Sequence, residues 1–246
     1  MRVNVLFSPV ITDELYFTGK TVVVIDVLRA STTIVAALQA GAKEVVPVAS
    51  VEFAVKVSGG MFGGQILLGG ERNTKKIEGF ALGNSPLEYI PEIVAGKTIV
   101  FYTTNGSKAI VKAKFSENLF VCSYSNLSAV KNHILSLGND VEILCAGKSN
   151  SFSMEDTICA GRFIKDIMSK KEDLEVTDTA RAALSLNKAF GKTPLKMLKE
   201  TEHGKLLLEN GFEEDLNFTA RVDTSNVIPY FSTNVLKSLP GDDSAK

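Results

Sequence analysis

The chain has 246 residues, which fit one large α/β domain with any subdivision expected near residues 150–175. With 27 basic against 28 acidic residues and no run of Lys and Arg, it lacks the electrostatic footprint of a nucleic-acid binder. Its anionic ligands must therefore be held by a few placed groups, which favours a small molecule. The most apolar stretch, Thr21 to Ala42, contains Asp26 and Arg29 and does not read as a membrane span.

The opening residues, Met1 to Phe7, run into Ser8-Pro9 too soon for the apolar core of a signal peptide, so a cytoplasmic address is expected. Thr21 to Val27 (TVVVIDV) reads as a strand buried on both faces, since its apolar residues do not alternate with polar ones. Ser31 then fits a helix N-cap, Ile34, Ala37 and Leu38 a buried stripe, and Gly41 a C-terminal stop. Glu44 to Val48 reads as a strand, Glu52 to Val57 as a short helix and Gln65 to Leu68 as a strand. Gly59 to Gly64 between the last two reads as a mobile turn.

After a long polar loop come a strand at Thr98 to Thr103 and a helix at Ser107 to Lys114. Strands at Leu119 to Cys122 and Val141 to Cys145 flank a helical segment, Leu127 to Leu137, and a longer helix spans Met154 to Met168. The pattern is mainly helical from there to about Asn210, with a strand near Val227 to Phe231 and a tail, Gly241 to Lys246, expected to fray. Alternating strands and helices predict a three-layer α/β/α fold with a mixed, largely parallel sheet. Ligands of such sheets bind outside the carboxyl ends of the strands.

Three strand-to-helix junctions carry polar residues that a packed turn does not need. At Ile25-Asp26-Val27-Leu28-Arg29, a carboxylate at the end of a buried strand demands a partner. Mg²⁺ would serve, being a hard cation that takes carboxylate, water and phosphate oxygens; an Asp26–Arg29 ion pair would serve as well. At Thr103-Thr104-Asn105-Gly106-Ser107, neutral donors beside a helix start suit a phosphate or carboxylate, but also a plain turn with Ser107 as its cap. At Gly147-Lys148 to Glu155-Asp156, Lys148 could meet an anion and the acids a metal or a proton. Ser153 with Asp156 equally forms a capping pair. Between the first two junctions, Gly70-Glu71-Arg72 offers a second metal carboxylate and a bidentate phosphate ligand, or a surface pair.

Missing residues narrow the chemistry. No Cys stands in the C-x-x-x-x-x-R spacing of a cysteine phosphatase, since Ser128 and Ser151 occupy the Arg positions after Cys122 and Cys145. Leu28 stands where an aspartyl-phosphate enzyme of the haloacid dehalogenase type would place a second Asp after Asp26. His133 and His203 are too few for a His-rich dimetal site, and no G-x-x-x-x-G-K-[ST] loop occurs. Cys122, Cys145 and Cys159 form no C-x-x-C pair.

The junctions occur in a fixed order: Val24 to Thr33, Gly70-Glu71-Arg72, Gly79-Phe80 with Gly83-Asn84-Ser85-Pro86, Thr103 to Ser107, and Cys145-Ala146-Gly147 with Glu155-Asp156. This series resembles the 2-phosphosulfolactate phosphatase family, and the likeness extends through His203-Gly204 and Gly211, covering residues 20 to 230. Ser31 and Ser107 stand where Thr is usual in that family, and Ala81 where an acid is common.

The resemblance implies an α/β/α fold and Mg²⁺-dependent hydrolysis of 2-phospho-3-sulfolactate to 3-sulfolactate and phosphate, a step toward coenzyme M. A mechanism built on these loops places Mg²⁺ against Asp26 with help from Glu71 or Asp156, and takes Asp26, Arg29, Glu71, Arg72 and Glu155 as catalytic residues, Glu155 as a general acid for the leaving alkoxide. Asn84, Thr104, Asn105, Gly106, Ser107 and Lys148 would bind substrate, and Arg162 is a further candidate for its sulfonate or carboxylate. A phosphatase of the same fold for another phosphorylated hydroxy acid, or a non-catalytic anion-binding protein, fits the same loops. Self-association is left open.

Overall fold

The computed structural model describes residues 1–60 and 65–239. Four residues of the glycine-rich turn expected at Gly59 to Gly64, and the tail expected to fray, lie outside them. In chain order the strands are β1 (Arg2–Leu6), β2 (Thr21–Ile25), β3 (Glu44–Val48), β4 (Ile66–Arg72), β5 (Lys75–Lys76), β6 (Thr98–Tyr102), β7 (Asn118–Cys122), β8 (Val141–Cys145), β9 (Glu175–Val176), β10 (Pro229–Ser232) and β11 (Val235–Ser238). The helices are α1 (Ala30–Gln39), α2 (Val51–Gly60), α3 (Pro91–Val94), α4 (Gly106–Lys112), α5 (Leu127–Leu137), α6 (Met154–Met168), α7 (Asp178–Phe190), α8 (Pro194–Glu200), α9 (Glu202–Glu209) and α10 (Glu213–Thr219).

All the strands join one sheet in the order β5-β4-β6-β3-β11-β10-β7-β2-β8-β1-β9. It contains two parallel blocks, β4-β6-β3 and β7-β2-β8-β1-β9. The antiparallel hairpin β10–β11 sits between them and pairs antiparallel with β7 on one side and β3 on the other. The fold is thus the expected α/β class with a large, mostly parallel mixed sheet and helices on both faces.

The side-chain period of two explains the layers. Val22 and Val24 of β2 face α1 and α4, together with Ile99 and Phe101 of β6. Their neighbours Val23 and Ile25 face the other way, onto α5, α6 and α7. Val100 and Tyr102 of β6 do the same onto α2. Every residue of β2 is buried, which explains its unbroken Thr-Val-Val-Val-Ile run. Burying each such Val or Ile contributes about 1.5–3 kcal/mol.

Three antiparallel pairings separate the two blocks, so their strands oppose one another along the sheet order. Their carboxyl ends converge nonetheless, because right-handed twist of about 20–25° per step accumulates to about 100–125° over the five steps from β2 to β6. The starts of α1 and α4 consequently meet: a Cβ on Gly106 would collide with Asp26 Oδ2 and Ala30 Cβ. Glycine at 106 is required by that approach.

Several local expectations change. The N-terminal segment forms β1, inserted beside β8, and the C-terminal strand is half of a hairpin. The N-cap of α1 is Arg29, while Ser31 lies inside the helix, where its Oγ accepts the Asp26 N–H at 2.8 Å. Asn105 occupies the N-cap position of α4 without a side-chain bond to the helix; Ser107 Oγ accepts the Thr103 N–H and donates to the Val48 carbonyl, both at 2.8 Å. Both serines tie the turn to the preceding strand, a role that spacing alone does not distinguish from capping. Ser153 does cap α6, accepting the Asp156 N–H at 3.3 Å. Among the described residues no helix is long and apolar enough to cross a membrane.

Candidate active site

The loops after β2, β4, β6 and β8 surround a cleft, which α9 completes from the far side. Its walls include Asp26, Arg29, Glu71, Asn84, Thr104, Asn105 and Lys148, seven of the residues singled out in the sequence. Thr74 and His203 also line it.

Asp26 sits at its base, just beyond β2. Its Oδ1 accepts the Ala30 N–H at 3.1 Å at the start of α1, and Oδ2 faces Gly106. Burial raises the Asp26 carboxyl from 3.8 to about 6, and the neighbouring Glu71 and Glu155 push in the same direction. His203 and the Ala30 N–H oppose the rise.

Glu71 is the penultimate residue of β4 and fastens two loops. One oxygen accepts the Thr104 N–H at 2.7 Å and the other the Thr74 N–H at 2.8 Å. It therefore holds the β6–α4 turn against the β4–β5 turn while keeping a carboxylate at the cleft. Asn105 Oδ1 accepts the Ser149 N–H at 3.1 Å, joining the turns after β6 and β8.

Arg29 is 2% exposed. It donates to Asp215 Oδ2 at 2.5 Å and to the Thr74 carbonyl at 2.8 Å, and its guanidinium lies 4.1 Å from the centre of the Phe212 ring. Asp215, also 2% exposed, accepts the Ser85 hydroxyl at 2.6 Å. The Asp26–Arg29 pair considered for this turn is replaced by Arg29–Asp215. A guanidinium has five N–H donors, so this anchored side chain retains capacity for a ligand.

Four expected roles do not match these positions. Asp156 does not line the cleft: its oxygens accept the Val27 N–H at 2.8 Å and the Gly147 N–H at 3.2 Å, tying α6 to the turns after β2 and β8. Burial, Asp26 and Glu155 raise its pKa. Arg72 is exposed and lines a separate open depression with Lys75 and Lys76, because side chains alternate along β4 and Glu71 takes the inward position. Ser107 is wholly buried in its turn. Arg162 lies on α6 and pairs with Asp166 at 3.0 Å, one helical turn away.

Glu155 is 3% exposed and stands behind His203, its Oε1 3.5 Å from His203 Nδ1. Lys148 meets Glu202 at 3.2 Å. His203, Asp215 and Phe212 were not read as site residues. His203-Gly204 offered a signal, since the family likeness runs through it; a Cβ on Gly204 would strike the Leu198 carbonyl, so α8 and α9 pack closely there. Asp215 offered none, because Glu213-Glu214-Asp215 reads as an ordinary acidic first turn.

The arrangement suits an anionic ester held with a cation. Three buried polar atoms of residues on the wall, Asn84 Oδ1, Thr74 Oγ1 and Thr104 Oγ1, have no partner among the described residues. Two carboxyl groups, Asp26 and Glu71, face the same space, and Arg29 is already neutralised by Asp215. An anion would enter an acid-rich cleft unless a cation came with it. Among the described residues no group of three or more His, Cys, Asp or Glu forms a metal cage. The donor set instead fits an ion that uses one or two carboxylates plus substrate oxygens, as Mg²⁺ commonly does. Burial pushes the thiols of Cys122, Cys145 and Cys159 up, so none is poised as a nucleophile.

A mixed α/β sheet with acidic and cationic groups gathered at its strand ends forms a cleft suited to a small anionic ester. A sequence model of the family described as 2-phosphosulpholactate phosphatase matches residues 10–234. A relative from Caldanaerobacter subterraneus subsp. tengcongensis is 41% identical over 219 residues, covering 89% of this chain and 90% of its own. One from Thermotoga petrophila is 42% identical, covering 90% and 94%, and one from Clostridium tetani is 37% identical, covering 96% and 100%. Each of the three is named a probable 2-phosphosulfolactate phosphatase. The chain belongs to the 2-phosphosulfolactate phosphatase family.

Proposed function

We propose that this chain is a cytoplasmic, Mg²⁺-dependent phosphatase that hydrolyses 2-phospho-3-sulfolactate to 3-sulfolactate and phosphate. The convergence of Asp26, Glu71 and Arg29 on one cleft, beside the unpartnered Asn84, Thr74 and Thr104 oxygens, carries this reading. Asp26 and Glu71 would hold the cation, which when bound supplies charge neutralisation for the phosphoryl group and activation of water. The remaining work falls to the chain itself.

Arg29, fixed by Asp215 and Phe212, presents its free N–H groups to phosphoryl oxygens without reorganising as charge develops. Asn84 and Asn105 supply neutral polar contacts at the wall, and Lys148 faces the carboxylate or sulfonate of the substrate. Glu71 contributes a second way, since its two accepted N–H bonds set the spacing between opposite walls. Ser107 and Asp156 act at one remove, by fixing the turns that bear these groups.

Phosphate release from 2-phosphosulfolactate is expected with Mg²⁺ and is lost on adding chelator. Asp26→Asn is expected to lower kcat by at least about 10²–10³-fold with the fold intact. Hydrolysis unaffected by both chelator and Asp26→Asn would refute the assignment. A panel of other phosphorylated hydroxy acids tests the substrate separately, and a preference for one lacking the sulfonate would displace the named ester.

A further inference from the structure

Hydrolysis of an alkyl phosphate leaves behind a strongly basic alkoxide, and its departure is slow unless a proton arrives as the P–O bond breaks. The cleft offers few donors for it. Arg29 stays charged and is tied to Asp215 and Thr74. Glu71 uses both oxygens to accept backbone N–H groups. Lys148 pairs with Glu202 and is assigned to the far charge of the substrate. Asp26 lies at the base against Ala30 and Gly106, on the side assigned to the cation.

His203 differs from all of these. It enters the cleft from α9, across from the strand ends that carry the other groups. Its Nδ1 faces the buried Glu155 Oε1 at 3.5 Å, and among the described residues no hydrogen bond occupies Nε2. Tight packing fixes the backbone that carries the ring, since Thr201 Oγ1 accepts the Gly204 N–H at 3.0 Å and Gly204 abuts the Leu198 carbonyl. A carboxylate behind one ring nitrogen, with the other free toward a cleft, is the arrangement of an oriented acid–base histidine.

We propose that His203 is the general acid for the leaving group, with Glu155 as the positioning residue that orients its ring. As the ester P–O bond breaks, its electron pair stays on the substrate oxygen, which takes the Nε2 proton and leaves as the free hydroxyl of the product. Water forms the new bond to phosphorus in the overall reaction and gives up the proton that restores the ring. The charged and titratable groups around His203 are Glu155 from α6, Asp26 and Arg29 from the β2–α1 junction, Glu71 from β4, Lys148 from the loop after β8, and Glu200 and Glu202 beside it. The inference rests on the phosphatase reading above and assigns one more step within it.

The test varies the leaving group. Wild type, His203→Gln and Glu155→Gln are assayed on 2-phosphosulfolactate and on two activated phosphates whose leaving groups need no proton, the acyl phosphate acetyl phosphate and the aryl ester p-nitrophenyl phosphate. His203→Gln is expected to lose about 10²–10⁴-fold in kcat on the alkyl ester and less than about tenfold on the activated ones. Glu155→Gln should show the same selectivity at smaller size, with KM little changed, and both variants should still bind 3-sulfolactate by calorimetry. Equal losses on all substrates, or full activity of His203→Gln on the alkyl ester, would overturn the assignment. If wild type spares the activated phosphates, the oxygen-18 isotope effect at the bridging position decides. It should grow in His203→Gln, and an unchanged value refutes the proton transfer. Wild type that hydrolyses none of these substrates would instead sink the phosphatase reading itself.

Discussion

Removing Asp215 leaves Arg29 buried and charged with one hydrogen-bond partner, the Thr74 carbonyl. Both members of the pair are 2% exposed, their contact is 2.5 Å, and Ser85 loses its acceptor in the same step. Breaking a buried pair from one side typically costs about 3–5 kcal/mol, against a total stability of about 5–15 kcal/mol for a domain. For a chain of this size each kcal/mol moves Tm by about 2–4 °C, so Asp215→Ala should melt about 6–20 °C below the parent. The double variant Arg29→Met with Asp215→Leu removes both charges and should recover most of that loss. Urea unfolding followed by circular dichroism at two salt concentrations measures it, and added salt should change the difference little because the pair is shielded from solvent. A cost below about 1 kcal/mol for Asp215→Ala, or a double variant as unstable as the single one, would refute the claim that this ion pair fastens α10 to the cleft.

Gly106→Ala places a methyl group against Asp26 Oδ2 and Ala30 Cβ; phosphatase activity should fall at least about tenfold as the carboxylate is displaced, and wild-type turnover would contradict the close approach. Asp26→Asn in metal-free protein should gain stability as pH rises. The carboxyl holds its proton up to about pH 6 in the folded chain but only to about 3.9 unfolded, so the folded state binds more protons in that window and wild-type stability falls across it. The shift of about two units corresponds to about 3 kcal/mol, present at pH 8 and nearly absent at pH 4; a pH-independent difference in denaturation midpoints would exclude it. Arg72→Ala, lying on the outward side of β4, should change kcat/KM by less than about fivefold, and that change should vanish at high salt. A salt-independent loss of several hundredfold would return Arg72 to the reaction.

The parts of the fold legible in the sequence were those whose pattern is local. β2 announces itself by five buried residues in a row, and the polar insertions after β2, β4, β6 and β8 mark strand ends where a cleft forms. Tertiary pairing is not local. β1 has a short, mixed sequence and is a strand because β8 and β9 flank it. Neighbouring residues also divide by direction alone: Glu71 faces the cleft and Arg72 faces solvent, as Glu155 backs His203 while Asp156 locks two turns. A one-residue difference reverses the face of a strand, and motif order does not say which member points inward. His203 and Asp215 reach the cleft from helices far along the chain, and no spacing near Asp26 predicts their arrival.

The central position of the β10–β11 hairpin bears on biosynthesis. Residues 229–238 fill the gap between two strand blocks made long before them, so each block must wait with one flank uncovered while the chain is still growing. β3 and β7 are open edges of that kind, liable to pair with the wrong partner until the hairpin arrives. Closure of the sheet is thus among the last events of synthesis, and a chain stopped before residue 229 would carry every site residue named above without the strands that pair its two halves.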